Sequence, residues 1–134
     1  MEKIINKFLK KIKKKSIKNI ECNLLKINPI KLGLINKHLI PEKSGIYIMC
    51  EKNKKNIVYI GESGNLFDRI DKQLRGNFNA SNIKKKIANK NKWDKYEAKE
   101  YMKKNLFVRF FLVKSNRYKI EHFLIALFNP KYND

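Results

Sequence analysis

The segment Gly45-Ile46-Tyr47-Ile48-Met49-Cys50, the polar stretch 51–56 and the segment Ile57-Val58-Tyr59-Ile60-Gly61 decide the fold. Both apolar runs are rich in β-branched and aromatic residues, which suit a pleated, buried surface. The polar stretch between them has the length of a loop, so the runs are expected to pair as an antiparallel hairpin. Pairing residues whose numbers sum to about 106 sets Tyr47 beside Tyr59 on one face of the sheet. Such an aromatic pair can fill a core or offer two hydroxyls to a site.

Downstream, Asn65 caps a helix with Asp68 at its third position, and Leu66, Ile70 and Leu74 form its apolar stripe. A short basic helix carrying Lys84, Lys85 and Lys86 begins near Ser81. Asp94 and Glu97 form a capping box for a helix that runs to about Lys104. Leu106 to Val113 reads as a buried strand whose one charged residue is Arg109. Tyr118 to Phe128 makes a last helix, which Asn129-Pro130 stops. Upstream of Ser44 the texture changes. Residues 1–43 hold 12 Lys and 3 Glu, and Ile4, Ile5, Phe8, Leu9 and Ile12 recur there at helical spacing. Lys7, Lys10, Lys11, Lys13, Lys14 and Lys15 crowd the other positions of this helix. Such a basic amphipathic helix can dock on its own domain, grip phosphates or lie on a membrane. Pro29, Gly33 and Pro41 then leave room only for short helical turns. Residues 1–43 are thus expected as a basic helical extension and 44–134 as the main domain.

The 134-residue chain carries 32 Lys and Arg against 12 Asp and Glu, a net charge of +20. An excess of that size excludes an ordinary small-molecule enzyme as the default and points to a polyanion, nucleic acid first. Twenty-eight of the cations are Lys, so AT-rich codon usage accounts for part of the excess. Cys22, Cys50, His38 and His122 have no zinc-site spacing. No apolar run approaches the length of a membrane span, and no secretory signal is visible. A cytoplasmic protein without membrane partners is expected.

Arg69 lies opposite the Leu66, Ile70, Leu74 stripe, with Gln73 one turn later. Glu121 is surrounded by Ile120, Phe123, Leu124 and Ile125 on a helix expected to be largely buried, where a carboxylate needs a partner or a metal. Arg117, one turn earlier, offers an intrahelical ion pair. Trp93, Tyr96 and Tyr101 can stack on bases, or form a core stripe.

Taken in order, these features resemble the GIY-YIG endonuclease family, whose name is spelled here by Gly45-Ile46-Tyr47 and Tyr59-Ile60-Gly61. The family arginine falls ten residues after the second tyrosine, where Arg69 stands. Its metal-binding glutamate precedes a Pro-x-x-Asn-like exit, matched by Glu121, Pro130 and Asn133. The resemblance covers roughly residues 44 to 133. Many members carry His where this chain has Gln73, and some carry Lys where it has Glu62. Gln73 cannot act as a general base, and Glu62 removes a cation that could lower a tyrosine's pKa.

The resemblance implies an α+β fold, a three-stranded antiparallel sheet flanked by helices. It also implies hydrolysis of DNA phosphodiesters assisted by Mg²⁺ or Mn²⁺. Glu121 would hold the metal and Arg69 the scissile phosphate. Tyr47 or Tyr59 would take a proton from the attacking water, with Tyr47 favoured. Gly61, Gln73 and Asn133 would support the site, while Lys10, Lys11, Lys13, Lys14, Lys15, Lys84, Lys85 and Lys86 would bind DNA. One site per chain cuts one strand, so a double-strand break calls for a homodimer or two nicks. Restriction, phage DNA breakdown, mobile-element homing and repair all use this nuclease. The alternative is a nucleic-acid-binding module of the same fold with weakened catalysis.

Overall fold

A computed structural model describes residue 14 and residues 17–51 and 55–134. Its centre is a sheet in the order β1-β4-β2-β3, antiparallel at every pairing. The strands are β1 (Ile30–Lys31), β2 (Gly45–Cys50), β3 (Ile57–Ser63) and β4 (Phe107–Leu112). Around it lie a helix over residues 17–25 (α1), α2 (Leu66–Arg75), α3 (Asn82–Asn91), α4 (Lys95–Asn105) and α5 (Arg117–Phe128). The sheet thus has four strands where the sequence predicts three. The extra one arises in the stretch assigned to short turns, where Ile30 and Lys31 pair with Val108 and Phe107 at the edge of β4. An edge strand tolerates the preceding proline because its outer groups need no partner strand.

The helix starts follow their caps. Asn65 Oδ1 accepts from the Asp68 N–H at 3.1 Å, Ser81 Oγ from the Lys84 N–H at 3.2 Å, and Asp94 with Glu97 completes a capping box. Each satisfies donors that a helix start would otherwise leave unpaired.

Every residue of β2 is buried, because this strand has β-neighbours on both sides and helices over both faces. Successive side chains point to opposite faces. Tyr47 and Met49 therefore join Leu66, Ile70, Leu74, Ile83, Ile87 and Met102 from α2, α3 and α4. Ile46, Ile48 and Cys50 join Leu24 of α1 and Leu124 of α5 on the other face. The described part of residues 1–43 belongs to these cores: Ile20 and Leu24 pack on the second, Leu32, Ile35 and Ile40 on the first. Arg109, buried in β4, donates from Nε to the Ile27 carbonyl at 2.8 Å and from Nη1 to Cys50 Sγ at 3.2 Å.

The helix α5 departs from expectation. Leu124 is its one fully buried residue, and Tyr118 and Phe123 are 64% and 57% exposed. The helix lays one stripe on the sheet and leaves its other apolar residues outside. No helix among the described residues is long and apolar enough to cross a membrane.

Candidate active site

The hairpin register is set two residues away from the sequence expectation. Tyr47 stands opposite Gly61 and Met49 opposite Tyr59, and between Met49 and Cys50 the register shifts so that Cys50 faces Ile57 and Val58 is passed over. A shift of two keeps every side chain on its face. The tyrosines are therefore diagonal neighbours on the same face, with ring centroids 6.1 Å apart and planes tilted by 33°. The register also explains Gly61. A Cβ there would overlap the Tyr47 ring and hydroxyl, so glycine is what lets the ring lie across β3.

Gln73 holds the two hydroxyls. It projects from α2 into the core, fully buried, and its Nε2 donates to Tyr47 Oη at 3.0 Å and Tyr59 Oη at 3.4 Å. Its Oε1 accepts from Ser81 Oγ at 3.1 Å, which fixes the amide from behind. A buried amide with all its partners in place specifies one geometry. Arg69, one turn earlier on α2, donates from Nη1 to the Ala80 carbonyl at 3.3 Å, and its charge acts on the Tyr47 hydroxyl. Burial pushes the Tyr47 pKa far above the ordinary tyrosine range and the neighbouring Tyr59 adds to it, against smaller opposite effects of Gln73 and Arg69. Tyr47 is thus a neutral phenol whose oxygen accepts from Gln73.

The cleft beside these groups opens at β3, the free edge of the sheet, and has a volume of about 330 Å³. Tyr47, Tyr59, Arg69 and Glu121 all line it. Glu121 reaches it from α5, which packs on the other face, so the site wraps around the strand edge. Two residues bond the outer backbone of that edge. The Tyr132 N–H donates to the Val58 carbonyl at 3.0 Å. Asn133 accepts from the Ile60 N–H at 2.9 Å and donates to the Ile60 carbonyl at 2.8 Å, standing in for a strand residue. The open edge is thereby partly covered by the stretch that follows α5.

The intrahelical ion pair that Arg117 could offer Glu121 does not form. Arg117 bonds the Glu62 carboxylate instead, 55 residues away in sequence. The nearest cationic candidate to Glu121 is His122 Nε2 at 4.0 Å. Burial raises the Glu121 pKa, and the Glu62 carboxylate raises it further. Two carboxylates thus line one cleft, and among the described residues no guanidinium or ammonium pairs with Glu121. That donor set suits a hard divalent cation, which takes oxygen ligands. Among the described residues no group of three or more His, Cys, Asp or Glu could hold a metal, so most of the cation's ligands would be water and phosphate.

Other sequence-assigned residues separate. Lys84 is only 3% exposed and its Nζ donates to the Gly76 carbonyl at 2.9 Å, so it is not displayed as a surface cation. Lys85 and Lys86 are half-buried, and Lys14 is exposed. Lys10, Lys11, Lys13 and Lys15 lie outside the described residues. Of the aromatic trio, Trp93 and Tyr101 pack together against the core while Tyr96 is 69% exposed. Sequence reasoning missed Asn82, which lines the cleft, and Ser81, which backs Gln73. It weighed Glu62 only as a missing lysine.

The family model described as the GIY-YIG catalytic domain matches residues 43–133. Among solved structures, the GIY-YIG N-terminal endonuclease domain of UvrC from Thermotoga maritima, bound to its catalytic divalent cation, magnesium, is 23% identical. The match covers 72% of this chain and 89% of that one, with a TM-score of 0.49. A tyrosine-to-phenylalanine variant of that domain is 26% identical over 72% and 88% of the two chains, with a TM-score of 0.48. No curated protein matches the chain significantly.

Proposed function

Since the chain belongs to the GIY-YIG family, by a match that spans residues 43–133, we propose that it is a divalent-metal-dependent endonuclease that hydrolyses DNA phosphodiesters. The observation that carries the reading is the convergence of Tyr47, Tyr59, Arg69 and Glu121 on one cleft at the β3 edge.

A phosphodiester is already anionic, and its hydrolysis adds charge in the transition state, so fixed positive charge is the main requirement. Glu121 would hold Mg²⁺ or Mn²⁺, which supplies Lewis-acid stabilisation of that charge when bound. Arg69 would bind the scissile phosphate through its remaining guanidinium donors, and its bond to the Ala80 carbonyl keeps it aimed. Tyr47, neutral and held by Gln73, donates its phenolic proton to a phosphate oxygen or a water. Tyr59, the more accessible of the two at 7% against 1% exposure, is the better placed to accept a proton from the attacking water. Asn133 keeps β3 in register beneath it. The basic residues 1–43 extend the DNA-binding surface, and restriction-like, phage or mobile-element roles in the cytoplasm suit such an enzyme. A break of both strands would use two copies of the chain.

The test is nicking of supercoiled plasmid by the full chain with Mg²⁺, with Mn²⁺ and with chelator. Nicking that requires metal and disappears in Glu121→Ala supports the reading. DNA binding with no nicking under any metal overturns it in favour of a binding module that has lost catalysis.

A further inference from the structure

A second concavity, of about 190 Å³, lies beside the cleft. The connection 76–81 runs between the two: Gly76 and Phe78 line this concavity, whereas the Ala80 carbonyl accepts from Arg69 of the cleft. Along α3, Asn82 lines the cleft and Lys84 this second hollow.

Its other walls are Lys95, Tyr96 and Lys99 of α4, so three lysines line one space that no carboxylate lines. Among the described residues, none of the three takes part in an ion pair. Each is placed at some cost. Lys84 is almost wholly covered, and its ammonium, with three donors, gives one to the Gly76 carbonyl. Burial and the charge of Lys99 both lower its pKa. Lys95 opens α4, where the helix dipole favours anions, and Lys99 follows one turn later as a like charge. Tyr96 stands exposed beside them, with Lys95 Nζ 5.2 Å from its ring centroid. An anion in the hollow would relieve all three cations at once, and a flat ring at its rim suits an anion that carries a base.

We propose that this concavity is a second phosphate-binding subsite, which takes a backbone phosphate of the nucleic-acid strand beside the stretch held in the cleft. Tyr96 stacks on the adjoining nucleotide. The proposal rests on the nuclease reading only for the identity of the polyanion.

The experiment is equilibrium binding of a fluorescent DNA duplex to the full chain at several potassium chloride concentrations, without divalent metal. The proteins are wild type, the double variant Lys95→Ala with Lys99→Ala, and Tyr96→Ala. Lys84 is left in place because it holds the Gly76 turn. The double variant is expected to make the slope of log K against log salt shallower by about 1–2 units. Tyr96→Ala is expected to weaken binding about fivefold or more with the slope retained. An unaltered slope in the double variant overturns the subsite. So does saturation of the hollow by inorganic phosphate alone, read from amide shifts of Phe78 and Lys99, with no slope change on DNA. Binding without metal is independent of cleavage. A shallower slope in a protein that never nicks plasmid leaves the subsite standing and sinks the cleft's enzymatic reading. Metal-dependent nicking with an unaltered slope does the reverse.

Discussion

The two faces of the sheet are built differently. Over Tyr47 and Met49, three helices close a core whose large side chains are fully buried and whose polar atoms are tied to one another through Gln73 and Ser81. Over Ile46 and Ile48, α5 rests on a single fully buried residue, Leu124, and leaves Tyr118 and Phe123 in solvent. The cleft draws its tyrosines and arginine from the first face and its glutamate from the second. A preorganised half thus supplies fixed donors, and a lightly seated half supplies the carboxylate that, on the proposed reading, would hold the metal. Close packing restricts geometry, whereas a helix held by one stripe can adjust.

The largest effect expected of any single change lies on the second face. Glu121→Ala should lower metal-dependent nicking by about a thousandfold or more. Thermal stability should not fall, because the carboxylate it removes is desolvated and near Glu62. Plasmid nicking and a melting curve on one preparation read both. A matching loss of stability would mean that Glu121 holds the edge of β3 rather than a metal.

The contrast in packing is sharpened by a pair of truncations. Ile70→Ala on the closed face should cost about 2–5 kcal/mol of stability. Phe123→Ala on the open face should change it by less than about 0.5 kcal/mol. Chemical denaturation measures both, and similar costs would erase the distinction between the faces. Arg69→Ala should then reduce turnover more than about tenfold with only modest loss of DNA binding, since its contact strengthens in the transition state. An equal loss in both quantities would make Arg69 a binding residue alone.

The smallest effect belongs to the basic segment at residues 10–15. Reversing three of its lysines to Glu should make the salt dependence of DNA binding shallower by roughly two to three units. An unchanged slope would assign that charge to solubility.

What the sequence made legible was local. Asn65, Ser81 and Asp94 act within a turn of the backbone they cap, so their roles are visible in a short window. The hairpin was legible because β-branched runs flank a polar loop, although the loop hides two residues of register. What stayed hidden was long-range. Arg117 lies within one turn of Glu121 in sequence, yet it bonds Glu62 across the fold. Apolar content misjudged α5, because a helix can carry more apolar residues than its partner surface covers. Lys84 and Gln73 left a signal that charge and polarity obscured. Lys84 shares its face with Ile87 and Ala88, and Gln73 adjoins Leu74 and Ile70, all of them buried.

The closure of the β3 edge also bears on when the cleft can exist. The tyrosines and Arg69 lie within one compact stretch of chain, but Asn133 meets Ile60 across 73 residues, and Glu121 must return over a comparable distance. Contacts of such separation form only after long loops have closed. A growing polypeptide that has emerged only through β4 therefore carries the tyrosines and Arg69 without Glu121, next to a strand whose outer groups still face water. The four groups of the cleft come together only with the last helix, and the strand edge is covered only with the exit that follows it.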